Sequence, residues 1–182
     1  MRSVPGFLAL AIVLACAGDA RATEIPFGTN DIPTVFFISK SDDHNRVDYG
    51  IRLSATCAPT GDDAVFMYWR EFEPPPPVRT HPLNMFEYVP YGFSEQHLVH
   101  RTQTGGDQLV RLKQLDRPIL VRTKKEADGH CSAIAYARIG GVEGAQLVSV
   151  YVKLNGPMSV DYIDVHGKNA QTGADITERI RR

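Results

Sequence analysis

The chain lacks most features from which a function is read directly. It has one tryptophan and three cysteines in 182 residues, and its net charge is −1 with histidine neutral. With no basic excess, there is no electrostatic footprint for nucleic acid or an anionic lipid surface, and Arg179, Arg181 and Arg182 read as a solvated tail. No run approaches the roughly 20 apolar residues needed to span a bilayer, so no transmembrane helix is expected. Long helical periodicity is also missing, which excludes a doubly wound α/β architecture. Gly-x-Ser-x-Gly, His-Glu-x-x-His, Cys-x-x-Cys, a calcium loop and a Gly-rich phosphate loop are all absent. On this reading no catalytic residue, metal ligand or cofactor is assigned.

The first 22 residues carry a clear pattern. Met1-Arg2 gives a positive start, Phe7 to Ala17 is almost wholly apolar, and Ala20-Arg21-Ala22 supplies the small-x-small site that signal peptidase reads. Residues 1–22 are therefore expected to be a signal peptide, 23–33 a linker and 34–182 a single β domain, periplasmic or secreted. A competing cut is possible before Cys16, because Val13-Leu14-Ala15-Cys16 resembles a lipobox. Acylation there would anchor the protein to the membrane surface. Loss of residues 1–22 leaves 160 residues, enough for one core, and two cysteines. Cys57 and Cys131 are expected to form a disulfide worth about 3 to 4 kcal/mol, from the loop it closes.

After residue 33 the apolar pattern is one of short runs separated by turns, which predicts antiparallel β structure. Eight strands are expected: Thr34 to Ile38, Val47 to Leu53, Ala64 to Phe72, Leu109 to Leu115, Pro118 to Thr123, Cys131 to Ile139, Gln146 to Leu154 and Val160 to Val165. Ala64 to Phe72 is the most aromatic and is expected to sit centrally. The prolines Pro74 to Pro77 break it, since they cannot donate ladder hydrogen bonds, and Leu83 to Tyr88 is read as one helical turn. The predicted fold is all-β, either a sandwich or a closed barrel of about eight strands, and a barrel could enclose a small ligand.

The residues that bear chemistry do not converge in sequence. Asp42, Asp43 and His44 share one turn, His97 and His100 are three apart, and Asp161, Asp164 and His166 alternate in facing, so solvated turn residues explain them without a metal. Glu71, Glu73, Asp161 and Asp164 cannot be paired into the two-carboxylate geometry of a glycosidase. His130 precedes Cys131, but adjacent strand residues point to opposite faces, so that histidine is poorly placed to activate the thiol. Tyr68, Trp69, Phe72, Tyr88, Tyr91 and Phe93 surround the proline loop. Tyr68, Trp69, Phe72 and Tyr91 are the candidate recognition rim, against the alternative that they fill the core.

Five segments, VFFISKSDDHNRVDYGIRL (Val35 to Leu53), VFMYWREF (Val65 to Phe72), PYGF (Pro90 to Phe93), VYVKL (Val150 to Leu154) and VDYIDVHGKNAQTGADITERI (Val160 to Ile180), resemble the bacterial domain of unknown function 4833 family. The most specific positions are Tyr162-Ile163, Gly167, Thr172-Gly173 and Glu178-Arg179-Ile180, with Tyr68-Trp69 and Tyr91-Gly92. The resemblance implies an exported, mostly β domain and no particular reaction. Gly50, Gly92, Gly167 and Gly173 read as turns, bulges or close backbone approaches. The expectation is a non-catalytic binding or structural module of the cell envelope, with an envelope protein or small ligand as partner. The alternative is an envelope hydrolase or metal-dependent enzyme.

Overall fold

Among the described residues the chain forms ten strands and one short helix. The structure is a computed structural model that describes residues 34–40, 44–61, 63–72, 79–94, 107–156 and 159–182. The strands are β1 (Phe36–Lys40), β2 (Arg46–Ile51), β3 (Val65–Glu71), β4 (Arg79–His81), β5 (Gln108–Arg111), β6 (Pro118–Lys125), β7 (Cys131–Ile139), β8 (Val142–Leu154), β9 (Val160–Lys168) and β10 (Asp175–Arg181), with α1 (Tyr88–Tyr91) between β4 and β5. The expected signal peptide, linker and Cys16 lie outside the described residues.

All ten strands join one open sheet, ordered β4-β3-β2-β1-β8-β7-β6-β5, with β9 on the other edge of β8 and β10 beyond it. The all-β expectation holds, but the closed barrel does not. Among the described residues the end strands β4, β5 and β10 pair only inward, with β3, β6 and β9 respectively, and the sheet branches instead of closing. Two strands were not foreseen. β4 follows the proline run with only three residues, and β10 carries just two isoleucines among seven residues. The aromatic strand β3 is next to the end of its wing rather than central. Pairing is antiparallel throughout except between β1 and β8, which run parallel.

The branch point is β8, and its sequence explains how it serves two wings. Residues Val142 to Leu147 pair with β7 and Ser149 to Val152 pair with β1 on the same edge, while β9 runs along the opposite edge. Between these halves Val148 has no partner on β9, because Leu147 pairs with Gly167 and Ser149 with His166. This is a β-bulge, which bends a strand and shifts its phase by one residue. Ala145 and Leu147 are buried before it, and Val150 and Val152 after it. Without the extra residue one half of the strand would turn its apolar side chains to solvent.

The two wings share one core. Phe36, Ile38, Val47 and Tyr49 from the β1–β2 side join Val110, Ile119, Val121 and Ile139 from the β5–β7 side, with Leu147, Ile163 and Val165 between them. Burial of each such side chain is worth about 1.5 to 3 kcal/mol. Phe36 stacks on Tyr49 with centroids 4.3 Å apart, and the fully buried Tyr49 hydroxyl donates to the Tyr91 carbonyl. Burial pushes the Tyr49 hydroxyl pKa well above its ordinary value, so it stays a donor. Cys57 and Cys131 are disulfide-bonded, tying the β2–β3 connection to the start of β7. Cys57 sits at φ 63°, a left-handed conformation that costs a residue with a β-carbon about 1 to 2 kcal/mol.

Candidate functional site

The aromatic rim read from sequence is divided among three environments. Trp69 and Tyr91 lie in the core, with ring centroids 5.9 Å apart. Tyr68 points to the opposite face of β3, fully buried, with its hydroxyl accepting from Arg70 at 2.8 Å and set 3.5 Å from Asp48. Of the four, Phe72 is exposed, at 40%. The strand alternation that puts Tyr68 and Trp69 on opposite faces also prevents them from forming one surface.

Four of the polar candidates have local side-chain partners. Glu71 faces His81 at 3.2 Å, His130 pairs with Asp128, Asp164 with Arg179, and His166 lies 3.1 Å from the Thr177 hydroxyl. His44 is exposed, whereas Asp42, Asp43, Glu73, His97 and His100 lie outside the described residues. Among the described residues no three His, Cys, Asp or Glu side chains group as a metal site would require. Asp48 is fully buried behind β2, where Arg46 donates to it at 2.6 Å, Arg70 lies at 2.6 Å and Thr34 donates at 2.8 Å. These contacts hold β1, β2 and β3 in register, since Asp48 faces Phe37 on one side and Tyr68 on the other.

The unusual surface lies just after β4. Asn84 Oδ1 accepts the backbone N–H groups of Phe86 and Glu87 at 2.9 and 3.0 Å, and Glu87 returns a carboxylate oxygen to the Asn84 N–H at 2.8 Å. This reciprocal capping box starts a helical turn that runs into α1. It ends at Gly92, where a β-carbon would collide with the Tyr88 carbonyl. The turn presents Met85 at 77% and Phe86 at 64% exposure, with Tyr88 at 40%. Exposed apolar side chains that adjoin one another form the kind of patch that marks an interaction site when it is large enough.

Beside this knob is a groove of about 380 Å³, open to solvent, walled by Phe66, Met67, Pro82, Leu83, Tyr88 and Phe93. Arg52 and Asp63 stand at its rim, with Arg52 donating to the Asp63 carbonyl at 2.6 Å and lying 4.7 Å from the Phe66 ring centroid. A second open groove, of about 460 Å³, runs over β5 to β7, with Leu109, Leu120 and Tyr136 as floor and Arg138 and Glu143 at the edge. Sequence reasoning placed a helical turn at Leu83 to Tyr88 but missed the knob. The Asn-x-x-Glu spacing was the available signal.

The fold and these surfaces define an all-β protein with a packed apolar core and with exposed apolar side chains beside open grooves. The chain belongs to the family described as a domain of unknown function, DUF4833, whose model matches residues 36–179. No curated protein and no solved structure matches.

Proposed function

We propose that this protein is an exported, non-catalytic recognition module of the cell envelope that docks a partner protein on the Met85–Phe86 knob and its adjoining groove. Export is supported by the pattern from Met1 to Ala22 and by the disulfide, since such bonds persist in oxidising compartments. Cleavage after Ala22 would free it, whereas acylation of Cys16 would tether it to the membrane. The observation that carries the docking role is the rigid display of Met85 and Phe86 next to an apolar groove. A partner side chain entering the groove would gain burial at little ordering cost, because the capping box has already fixed the backbone. The occupant is a protein with an exposed apolar anchor of its own, which buries Phe86 as it fills the groove.

A photo-reactive residue at position 86 tests the reading in cells. One discrete adduct with a single protein is expected. It should vanish when Leu83 in the groove wall is changed to Asp, with the circular dichroism unchanged. Adducts with many proteins, or a single adduct indifferent to Leu83→Asp, would overturn it.

A further inference from the structure

The outer face of β8, β9 and β10, opposite the core, carries a second set of residues that protein docking at the knob does not use. Strand register places Arg179, Asp164 and Tyr151 in one row across the three strands, and Arg181, Tyr162 and Lys153 in the adjacent row. The Tyr151 and Tyr162 rings lie 6.3 Å apart, tilted by 44°. The Arg179 guanidinium sits 4.1 Å from the Tyr162 ring centroid and donates twice to Asp164, at 2.7 Å each. Asp164 thereby fixes the cation against the ring, and Arg179 holds the Asp164 carboxyl below its usual pKa range.

We propose that this face binds an anionic glycan, a chain of sugar rings bearing carboxylates. Three observations point to that class. First, Lys153, Arg179 and Arg181 outnumber Asp164, and they still leave an excess of positive charge when Asp161, whose field reaches Arg179, is included. Neither Lys153 nor Arg181 is paired with a carboxylate among the described residues, so both are available to a ligand's carboxylates through charge-assisted hydrogen bonds. Second, two half-buried tyrosines side by side offer apolar ring faces with hydroxyls at their ends, which suits the stacked faces and peripheral hydroxyls of pyranose rings. Third, Tyr151, Tyr162 and Asp164 lie mid-sheet, with only the arginines on the end strand β10. β8 is paired on both edges and β9 lies between β8 and β10. An extended acidic peptide could add as a strand only along the outer edge of β10, away from the tyrosine rings, whereas a glycan stacks on the ring faces themselves.

Oligogalacturonate titrated into the full-length protein by calorimetry tests this, with neutral maltooligosaccharide and polyglutamate as controls. Binding of oligogalacturonate alone is expected, weakening as salt is raised because exposed charge pairs are screened. Tyr162→Ala should weaken it at least tenfold, and Tyr162→Phe should restore most of the affinity by returning the ring. The double change Lys153→Gln with Arg181→Gln should abolish measurable binding. Changing Phe86 to Ser should leave the affinity as it was, so that failure at the knob and failure at this face are told apart. Equal binding of polyglutamate, absence of oligogalacturonate binding, or indifference to Tyr162→Ala in a folded protein would overturn the proposal.

Discussion

Glu178 is the residue at which pH, register and stability meet. It lies on β10 and accepts two hydrogen bonds from Arg117, at 2.7 and 2.9 Å, across a sequence distance of 61 residues, and a third from the Gly140 N–H at 2.8 Å. It therefore pins the β9–β10 hairpin to the β5–β6 connection and to the tip of the β7–β8 turn. Gly140 and Gly141 form that turn at φ 57° and 81°, between Ile139 and Val142. A hydrogen bond to a charged group contributes about 1.5 to 3 kcal/mol. The two side chains keep 24% and 14% exposure, so solvent weakens the pair and a net cost near 2 kcal/mol is expected for Glu178→Gln. In a chain of this length that lowers Tm by about 4 to 8 °C.

Arg117 holds the Glu178 carboxyl below its usual pKa, so its stabilisation is present above the unfolded value near 4.3 and is lost as pH falls through the lower folded value. Urea unfolding of wild type and Glu178→Gln should give a gap near 2 kcal/mol at pH 7 that narrows toward pH 3. A double-mutant cycle with Arg117→Met should show coupling of about 0.5 to 2 kcal/mol. An unchanged gap across that range, or zero coupling, would refute the clamp.

Two further perturbations probe the frame. Cys57→Ser should remove about 3 to 4 kcal/mol of loop-closure stabilisation and lower Tm by on the order of 10 °C under oxidising conditions; no difference from wild type after reduction of both would check that the effect is the bond itself. Gly167→Ala should cost about 1 to 3 kcal/mol by urea titration, because a β-carbon there meets the Gln146 carbonyl and Ile139 Cδ1 beside the bulge. A neutral Gly167→Ala would mean that the bulge can slide.

Much of the strand pattern was legible because β-branched and aromatic residues in short runs leave few alternatives. The pairing of β1 with β2, the disulfide pair and the shared face of Ile163 and Val165 follow from turn composition, cysteine count and period two respectively. The topology was not legible, because nothing in the sequence marks where β8 changes partner from β7 to β1 or where its bulge falls. Val148 sits in an unbroken run, Gln146 to Leu154, whose composition reads as an ordinary strand, and its role appears only in the pairing with β9. β10 was missed for a related reason. Its inward positions are Ile176, Glu178 and Ile180, so a carboxylate stands where an apolar residue would have announced the strand. The aromatic rim failed because Tyr68 and Trp69 are neighbours, and neighbours on a strand cannot share a face.

The Glu178-Arg179-Ile180 stretch that carries the family resemblance separates by the same alternation into building and exposed parts. Glu178 and Ile180 turn inward, one to Arg117 and Gly140, the other to the core. Arg179 turns outward and is half exposed, and an exposed ion pair of its kind contributes at most about 1 kcal/mol to folding. Stability therefore accounts for Glu178 and Ile180 much better than for the Arg179–Asp164 pair. What that pair accomplishes is to orient a cation against the Tyr162 ring, and a side chain oriented before binding loses less rotamer freedom when a ligand arrives. On the recognition role proposed above, a protein whose interior is filled by its own side chains gains most from surface groups that are already ordered. The capping box does this for Phe86, and the Asp164 carboxylate does it for Arg179.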